Sequence, residues 1–412
     1  MLQYRSLHLL LLFIAATGIF IIVGCKKDNT GNGTPGIKQI RAITPAPNDS
    51  VLTSAFPGQF VVIQGSNLAS AEQISFYGFP ATFNSGIFSN TSLVVKVPAI
   101  KWDSIPAGKA NTVEVVTSGG TATYTFNLNA PVPTITGASN ENAVAGTTIT
   151  ITGSDFYGVS NVIFPGGKQG TNLVITGTTQ LSVTVPAGIT AGDSLRVTGT
   201  YGTGASIFVF DNYLSPTTGF LANFEDGDAF FGWQYWGGIK TNESALFPDN
   251  TGNYIRVNPS GSITAGDGSW YSDNRAVMVA SGAWLPSANL SDPIANYSLK
   301  FEVDVKTAWS NGSLMIAPNG NFNYLARYAP WENLSSGQFI TDGWQTVIIP
   351  LTHFLKNTDG NYDPSGSSAP NIATLTGGTN AATIQIMLYN DSKTPLASFD
   401  AAADNVRIVK LK

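Results

Sequence analysis

The six residues Arg327-Tyr-Ala-Pro-Trp-Glu332 put two aromatic rings, a guanidinium, a carboxylate and a proline side by side in a chain that is only 11% charged. Proline fixes its own φ, lacks a backbone donor and pushes the residue before it toward extended backbone, so the stretch reads as a strand end entering a loop. A loop carrying Tyr328 and Trp331 either tucks them beneath itself or presents flat faces to a ligand. Arg327 either pairs with Glu332 at the surface or orients such a platform. Two more polar loops offer the same chemistry: Trp270-Tyr271 within GDGSWYSDNR, and Trp309 ahead of Ser-Asn-Gly. Trp344 opens an alternating strand and Trp284 precedes Leu-Pro, so both read as packing residues, whereas Trp233 and Trp236 in GWQYWGG suit either role.

Other chemistries lack their parts. The two histidines are His8, in the N-terminal apolar run, and His353, in an apolar context that reads as buried or edge. There is no GxSxG, HExxH or Walker loop, and the lone cysteine rules out disulfides and zinc clusters. Glu302 and Asp304 alternate along a strand between Lys300 and Lys306, which reads as a solvated face and not as the acid pair of a glycosidase. Asp359-Gly-Asn361-Tyr-Asp363 lacks the Gly and distal Glu of an EF-hand loop and reads as a turn. A net charge of -5 without a basic cluster argues against nucleic acid and fits a neutral ligand.

Strands must position these loops. The 412 residues contain 43 glycines, with abundant Thr, Ser, Asn and Val, which predicts an all-β chain of two to four domains. Two segments repeat at an offset of 88 residues: PGQFVVIQGSNL from Pro57 matches AGTTITITGSDF from Ala145, and LVVKVPA from Leu93 matches LSVTVPA from Leu181. Each copy has the length and alternation of a small sandwich. Asn67 and Asp155 take equivalent places and read as turn residues. From about Leu214 the composition shifts, and seven of the eight tryptophans follow. Strands are expected near 299–305, 312–317, 322–328, 344–351, 383–389 and 404–411, a third sandwich of jelly-roll type. The stretches Asn223-Phe-Glu-Asp-Gly227 and Asp404-Asn-Val-Arg-Ile-Val409 resemble the first and last strands of carbohydrate-binding jelly rolls, which implies that they lie close together and makes Glu225 and Asp404 candidates for a structural calcium.

At the N-terminus Arg5 precedes an apolar run from Leu7 to Val23 that ends in Ile-Val-Gly-Cys25, which reads as an export signal. The tetrapeptide resembles the bacterial lipobox, implying cleavage before Cys25 and lipidation of its sulfur. The expected order is a signal peptide over 1–24, a polar tether over 25–36, repeats over 37–130 and 131–213, and the terminal module over 214–412.

The repeat pattern PG-x-x-V-x-I-x-G-x-N/D resembles the IPT/TIG family of immunoglobulin-like domains, which implies two sandwiches acting as spacers. The third module, through Trp309-Ser-Asn-Gly-Ser-Leu, Arg327-Tyr-Ala-Pro-Trp331 and Thr341-Asp-Gly-Trp-Gln-Thr-Val-Ile-Ile-Pro350, resembles the carbohydrate-binding β-sandwich of Bacteroidetes surface glycan-binding lipoproteins, typified by a xyloglucan binder with more spacer domains than the two seen here. The resemblance implies a non-catalytic protein, lipid-anchored in the outer membrane and facing outward. It would hold a neutral polysaccharide near an outer-membrane transporter and a hydrolase. Sugar rings offer C–H faces and a rim of hydroxyls, which suits Trp270, Tyr271, Trp309, Tyr328 and Trp331 as stacking faces and Arg327 as a hydroxyl clamp. A surface hydrolase and a protein-binding adhesin are the alternatives.

Overall fold

A computed structural model describes residues 33–214, 218–225, 239–269, 273–320, 322–358, 362 and 364–411. The signal peptide, Cys25, Trp233, Trp236, Trp270, Tyr271 and most of Asp359–Asp363 lie outside these residues. The chain falls into two compact units, Met1–Ala130 and Pro131–Lys412. No helix among the described residues is long and apolar enough to cross a membrane.

The repeats fold in step with their sequence offset. Strand Phe60–Ser66 has its counterpart in Thr148–Ser154, and Ser92–Lys96 in Gln180–Thr184, so the offset of 88 holds to the residue. Each first strand leans on a strand with a bulge, between Ile37 and Gln39 in one copy and between Ile135 and Gly137 in the other. The partner backbone closes in at these points: a Cβ on Gly65 would lie 1.8 Å from the carbonyl oxygen of Gly36, and one on Gly153 1.9 Å from that of Thr134. Only glycine fits there. Asn67 and Asp155 both adopt left-handed backbone, with φ of 56° and 61°, in the turns that follow.

The terminal module is a sandwich of two antiparallel sheets. One takes strands Ile239–Thr241, Tyr254–Val257, Ala401–Lys410, Tyr297–Val305 and Gln345–Pro350 in that order, with Phe220–Ala222 also pairing to the third; the other takes Ala276–Ala283, Ala381–Tyr389, Ser313–Pro318, Tyr324–Tyr328 and Leu355–Lys356. Leu299, Phe301 and Val303 from the first sheet meet Leu314, Ile316, Ile384 and Ile386 from the second in one apolar core. Among the described residues of this module one short α-helix, Ile372–Thr376, is capped by Asn371, whose side chain accepts from the Thr374 N–H.

One strand departs from expectation. Tyr297–Val305 is buried on both faces, and Lys300, Glu302 and Asp304 are 3%, 2% and 4% exposed. Instead of facing water, Lys300 and Glu302 lie beneath the loop Ser139–Asn142 of the second repeat, and Asp304 accepts from Thr341 Oγ1 at 2.8 Å. Glu141 accepts from Lys300 Nζ at 2.5 Å and from Arg407 Nη2 at 2.9 Å. Arg407 also grips both oxygens of Glu302, at 2.8 and 2.9 Å, while Asn142 Nδ2 and Thr346 Oγ1 donate to the same carboxylate. Backbone joins side chain here, since the Thr346 N–H donates to Ser139 O at 2.8 Å and the Glu141 N–H to Thr346 Oγ1 at 2.8 Å. Every charge in this patch therefore has a partner, as burial demands. Residues 131–213, expected as a separate spacer, are joined to the terminal module through a buried polar interface within one unit.

The joint has more acid than base. Asp211, buried beside it, has its carboxyl pushed up to about 7, first by burial and then by the Glu302 charge. Asp404 is raised well above the usual carboxylate range, chiefly by burial, with Glu302 and Glu225 adding to it. A carboxyl with a raised folded-state pKa binds its proton more tightly folded than unfolded, so stability is highest below the unfolded value near 4 and falls as pH rises toward 7. Lys300, lowered by burial, acts in the opposite sense only in a window below its ordinary 10.5. The melting temperature of the Pro131–Lys412 unit is expected to drop between pH 5 and pH 8 by calorimetry; a rise over that range would mean that these acids are solvated.

Candidate functional site

Of the two outward sheet faces of the terminal module, the first is largely covered, leaving beside the second repeat an apolar pocket of about 560 Å³ lined by Ile207, Phe208, Phe220, Ile348 and Leu411. The second repeat covers one part of it, and Phe247, Tyr254 and Trp344 form an edge-to-face cluster over another, with ring centroids 5.4 to 6.2 Å apart. Trp344 is thus a packing residue, as expected.

The second sheet is different. Alternation sends Leu314, Ile316, Ile384, Ile386 and Leu388 into the core, and Met315, Ala317, Leu325 and Met387 to the opposite face, where half-buried Phe322, Tyr362 and Tyr389 pack on them. Met315 lies opposite Arg327 on one side and Met387 on the other. A cleft of about 350 Å³ opens over this floor, lined by Gly266, Met315, Arg327, Tyr362, Pro364, Tyr389 and Asp391. Tyr362 stands 5.7 Å from Tyr389 and 5.4 Å, edge to face, from Phe322.

Arg327 is held from two sides. Its Nε donates to Asp391 Oδ2, and its two Nη atoms donate to Glu332 at 2.9 and 2.8 Å in a bidentate fork. Burial disfavours the guanidinium charge, but these two carboxylates outweigh it and hold the proton on. The planar group is fixed at the cleft wall with two N–H bonds still unspent.

The neighbouring aromatics separate by the same alternation. Tyr328, next along the strand from Arg327, points to the core side, where it meets Trp309 at 5.9 Å and Phe301 at 6.3 Å; burial pushes its hydroxyl up to about 12. Trp309, expected as a stacking face, has no exposed surface: it packs edge to face on Phe399 at 5.2 Å, and its Nε1 donates to Asn311 O at 2.7 Å. The polar run after Trp309 suggested exposure, but the residue bridges Phe339 through two backbone hydrogen bonds that turn its ring inward. Trp331 is half-buried in the turn Pro330–Asn333, packs against the core and donates from Nε1 to Gly312 O at 2.9 Å. Of the residues singled out in sequence, the cleft receives Arg327. Trp284 is core, donating to Ala382 O, and His353 is exposed.

Trp270 and Tyr271 lie outside the described residues, though the chain leading to them is well anchored. Asn390, fully buried, donates to Ile263 O, Thr264 O and Thr394 O, each at 3.0 Å, and Arg275 pairs with Asp267 at 3.0 Å. Gly268 presses so close to Tyr389 that a Cβ there would lie 2.7 Å from its ring.

Sequence reading missed Tyr362, Tyr389, Met315 and Asp391. One signal was present: in Ala381–Tyr389 the row opposite Ile384, Ile386 and Leu388 is Gln385, Met387 and Tyr389, too apolar for a plain solvent face.

Glu225 is the smallest of the influences that raise Asp404, after burial and the Glu302 charge. Both Glu225 oxygens already accept from Asn253, at 2.5 Å from N and 3.1 Å from Nδ2. Among the described residues no group of three or more acids, histidines or cysteines is placed to hold a metal.

Residues 214–410 match the family model described as the surface glycan-binding protein B xyloglucan binding domain. A curated relative, an IPT/TIG domain-containing protein of Bacteroides ovatus, is 26% identical over 162 residues, which are 39% of this chain. The match spans 33% of that relative's length. Among solved structures, the surface glycan-binding protein PbSGBP-B from Prevotella bryantii superposes with a TM-score of 0.69 at 24% identity, covering 92% of this chain and 99% of that one. That likeness establishes the fold: all-β, with immunoglobulin-like sandwiches leading to a terminal β-sandwich.

Proposed function

We propose that this chain is a non-catalytic cell-surface protein that captures a neutral polysaccharide, xyloglucan or another plant β-glycan, in the cleft of Arg327, Tyr362 and Tyr389. The cleft carries the reading. It sets two tyrosines and a fixed guanidinium over an apolar Met315 floor, which supplies faces for sugar C–H groups and donors for hydroxyls in one place. The family match over the terminal module supports xyloglucan as the first ligand to test. Trp270 and Tyr271, outside the described residues, belong to the same proposal as stacking faces on the strength of their polar sequence context.

The acids argue against hydrolysis. Glu302 lies under the second repeat, held by Arg407, Asn142 and Thr346. Glu332 and Asp391 are both committed to Arg327. A glycosidase needs two carboxyls facing one bond, one of them free to give a proton. Native gels cast with soluble xyloglucan, mixed-linkage glucan, glucomannan or galactomannan are expected to retard the protein, and Arg327→Ala is expected to abolish most of that retardation. Retardation by none of them, or release of reducing sugar, would overturn the reading.

Anchoring at Cys25, outward placement on the outer membrane, and work beside a transporter and a hydrolase belong to this proposal and rest on the lipobox-like tetrapeptide and the family match. A calcium ion at Glu225 and Asp404 is a further part of it, resting on the likeness of the module's two end stretches to those of carbohydrate-binding jelly rolls. In the pH series above, calcium added at pH 8 should then raise the melting temperature, and a chelator should lower it.

A further inference from the structure

The fork of an arginine is the natural partner of a carboxylate: two parallel N–H bonds match its two oxygens, which makes an unoccupied arginine in a sugar cleft a site for uronic acids. Here Glu332 already fills that fork with both oxygens, at 2.8 and 2.9 Å, and Asp391 takes the Nε side. The triad carries one net negative charge. Asp391 adds to the field with a second oxygen that has no hydrogen-bond partner. The nearby Arg275 is closed on Asp267 and does not offset it. We propose that Glu332 makes the cleft selective against acidic glycans, occupying the guanidinium positions that a uronate carboxylate would otherwise take, with Asp391 reinforcing the exclusion by its charge. This rests on the reading of the cleft as a glycan site. Hydroxyl recognition survives the arrangement, because the two unspent N–H bonds of Arg327 still donate to a neutral sugar, whereas an incoming carboxylate meets two like charges and no free fork.

The test uses the full chain in affinity gels with xyloglucan, mixed-linkage glucan, glucomannan and galactomannan, each native and after TEMPO oxidation of its primary hydroxyls to carboxylates. Wild type is expected to prefer the native form of its glycan by about tenfold or more, a ratio typical of one lost charge-assisted contact. Glu332→Ala should erase most of that preference, read as the ratio of native to oxidised binding, with binding of the oxidised form weakened by added salt. Asp391→Asn, which keeps its shape, should move the preference the same way by less. Unchanged preference in both variants, with native binding retained, overturns the proposal and leaves the function standing. Loss of native binding in a folded Glu332→Ala protein makes Glu332 a positioning residue for Arg327 and also overturns it. Wild type bound by no glycan removes the function and the proposal together.

Discussion

Arg407→Ala should destabilise the Pro131–Lys412 unit by about 3–5 kcal/mol, the range found when one member of a buried ion network is removed. The guanidinium is 1% exposed, and the burial that disfavours its charge is outweighed by Glu302 and Glu141. Among the described residues, deleting it leaves those two carboxylates buried with Lys300 as the one cation hydrogen-bonded to either. The loss is mostly the desolvation of groups left unpaired, so Arg407→Ala with Glu141→Ala and Glu302→Ala together should cost less than the three separate losses added up. Urea unfolding followed by tryptophan fluorescence reads this well, because seven of the eight tryptophans lie beyond Leu214. A loss below about 1 kcal/mol would mean that the network is wet and screened. Because Glu141 and Asn142 belong to the second repeat, the same variant should also loosen that repeat from the module it rests on.

That joint marks the limit of what the sequence made legible. The two repeats were readable to the residue, because a period-two pattern and a constant offset are local properties of the chain. The strands Ser313–Pro318, Gln345–Pro350 and Ala381–Tyr389 fell within a few residues of their expected places for the same reason. Lys300, Glu302 and Asp304 were misread because their pattern is the same whether water or another protein surface covers them. Over Lys300 and Glu302 the cover is the loop of Glu141, 159 residues earlier in the chain than Lys300, and no periodicity reports a contact at that distance. The site divides in the same way. Arg327 was legible, and so in principle was the impossibility of Tyr328 sharing its face, since adjacent strand residues point to opposite sides. Tyr362 and Tyr389 come from a loop and a distant strand, and only the fold brings them to Arg327.

Trp309 and Tyr389 put the assignment of core and platform to a direct comparison. Trp309→Ala should cost about 3–5 kcal/mol of stability, as for other large aromatics removed from a packed core. It has no exposed surface, touches Tyr328, Phe339 and Phe399 edge to face, and loses its bond to Asn311 O. Whatever protein stays folded should bind glycan with near-normal affinity, because nothing of Trp309 reaches the cleft. Tyr389→Ala should behave in the opposite way. Its ring is half-buried on the outer face of the sheet, against Met315 and Met387, so the fold loses a peripheral contact and not a core one. The cleft loses a wall, and affinity for the retarding glycan should fall by about 2 kcal/mol or more, the scale of an aromatic hot spot. Calorimetric titration and thermal melting of both variants separate the two effects. If Trp309→Ala weakens binding in a stable protein while Tyr389→Ala leaves it unchanged, the platform lies on the other side of the sheet and the cleft at Arg327 is not the site.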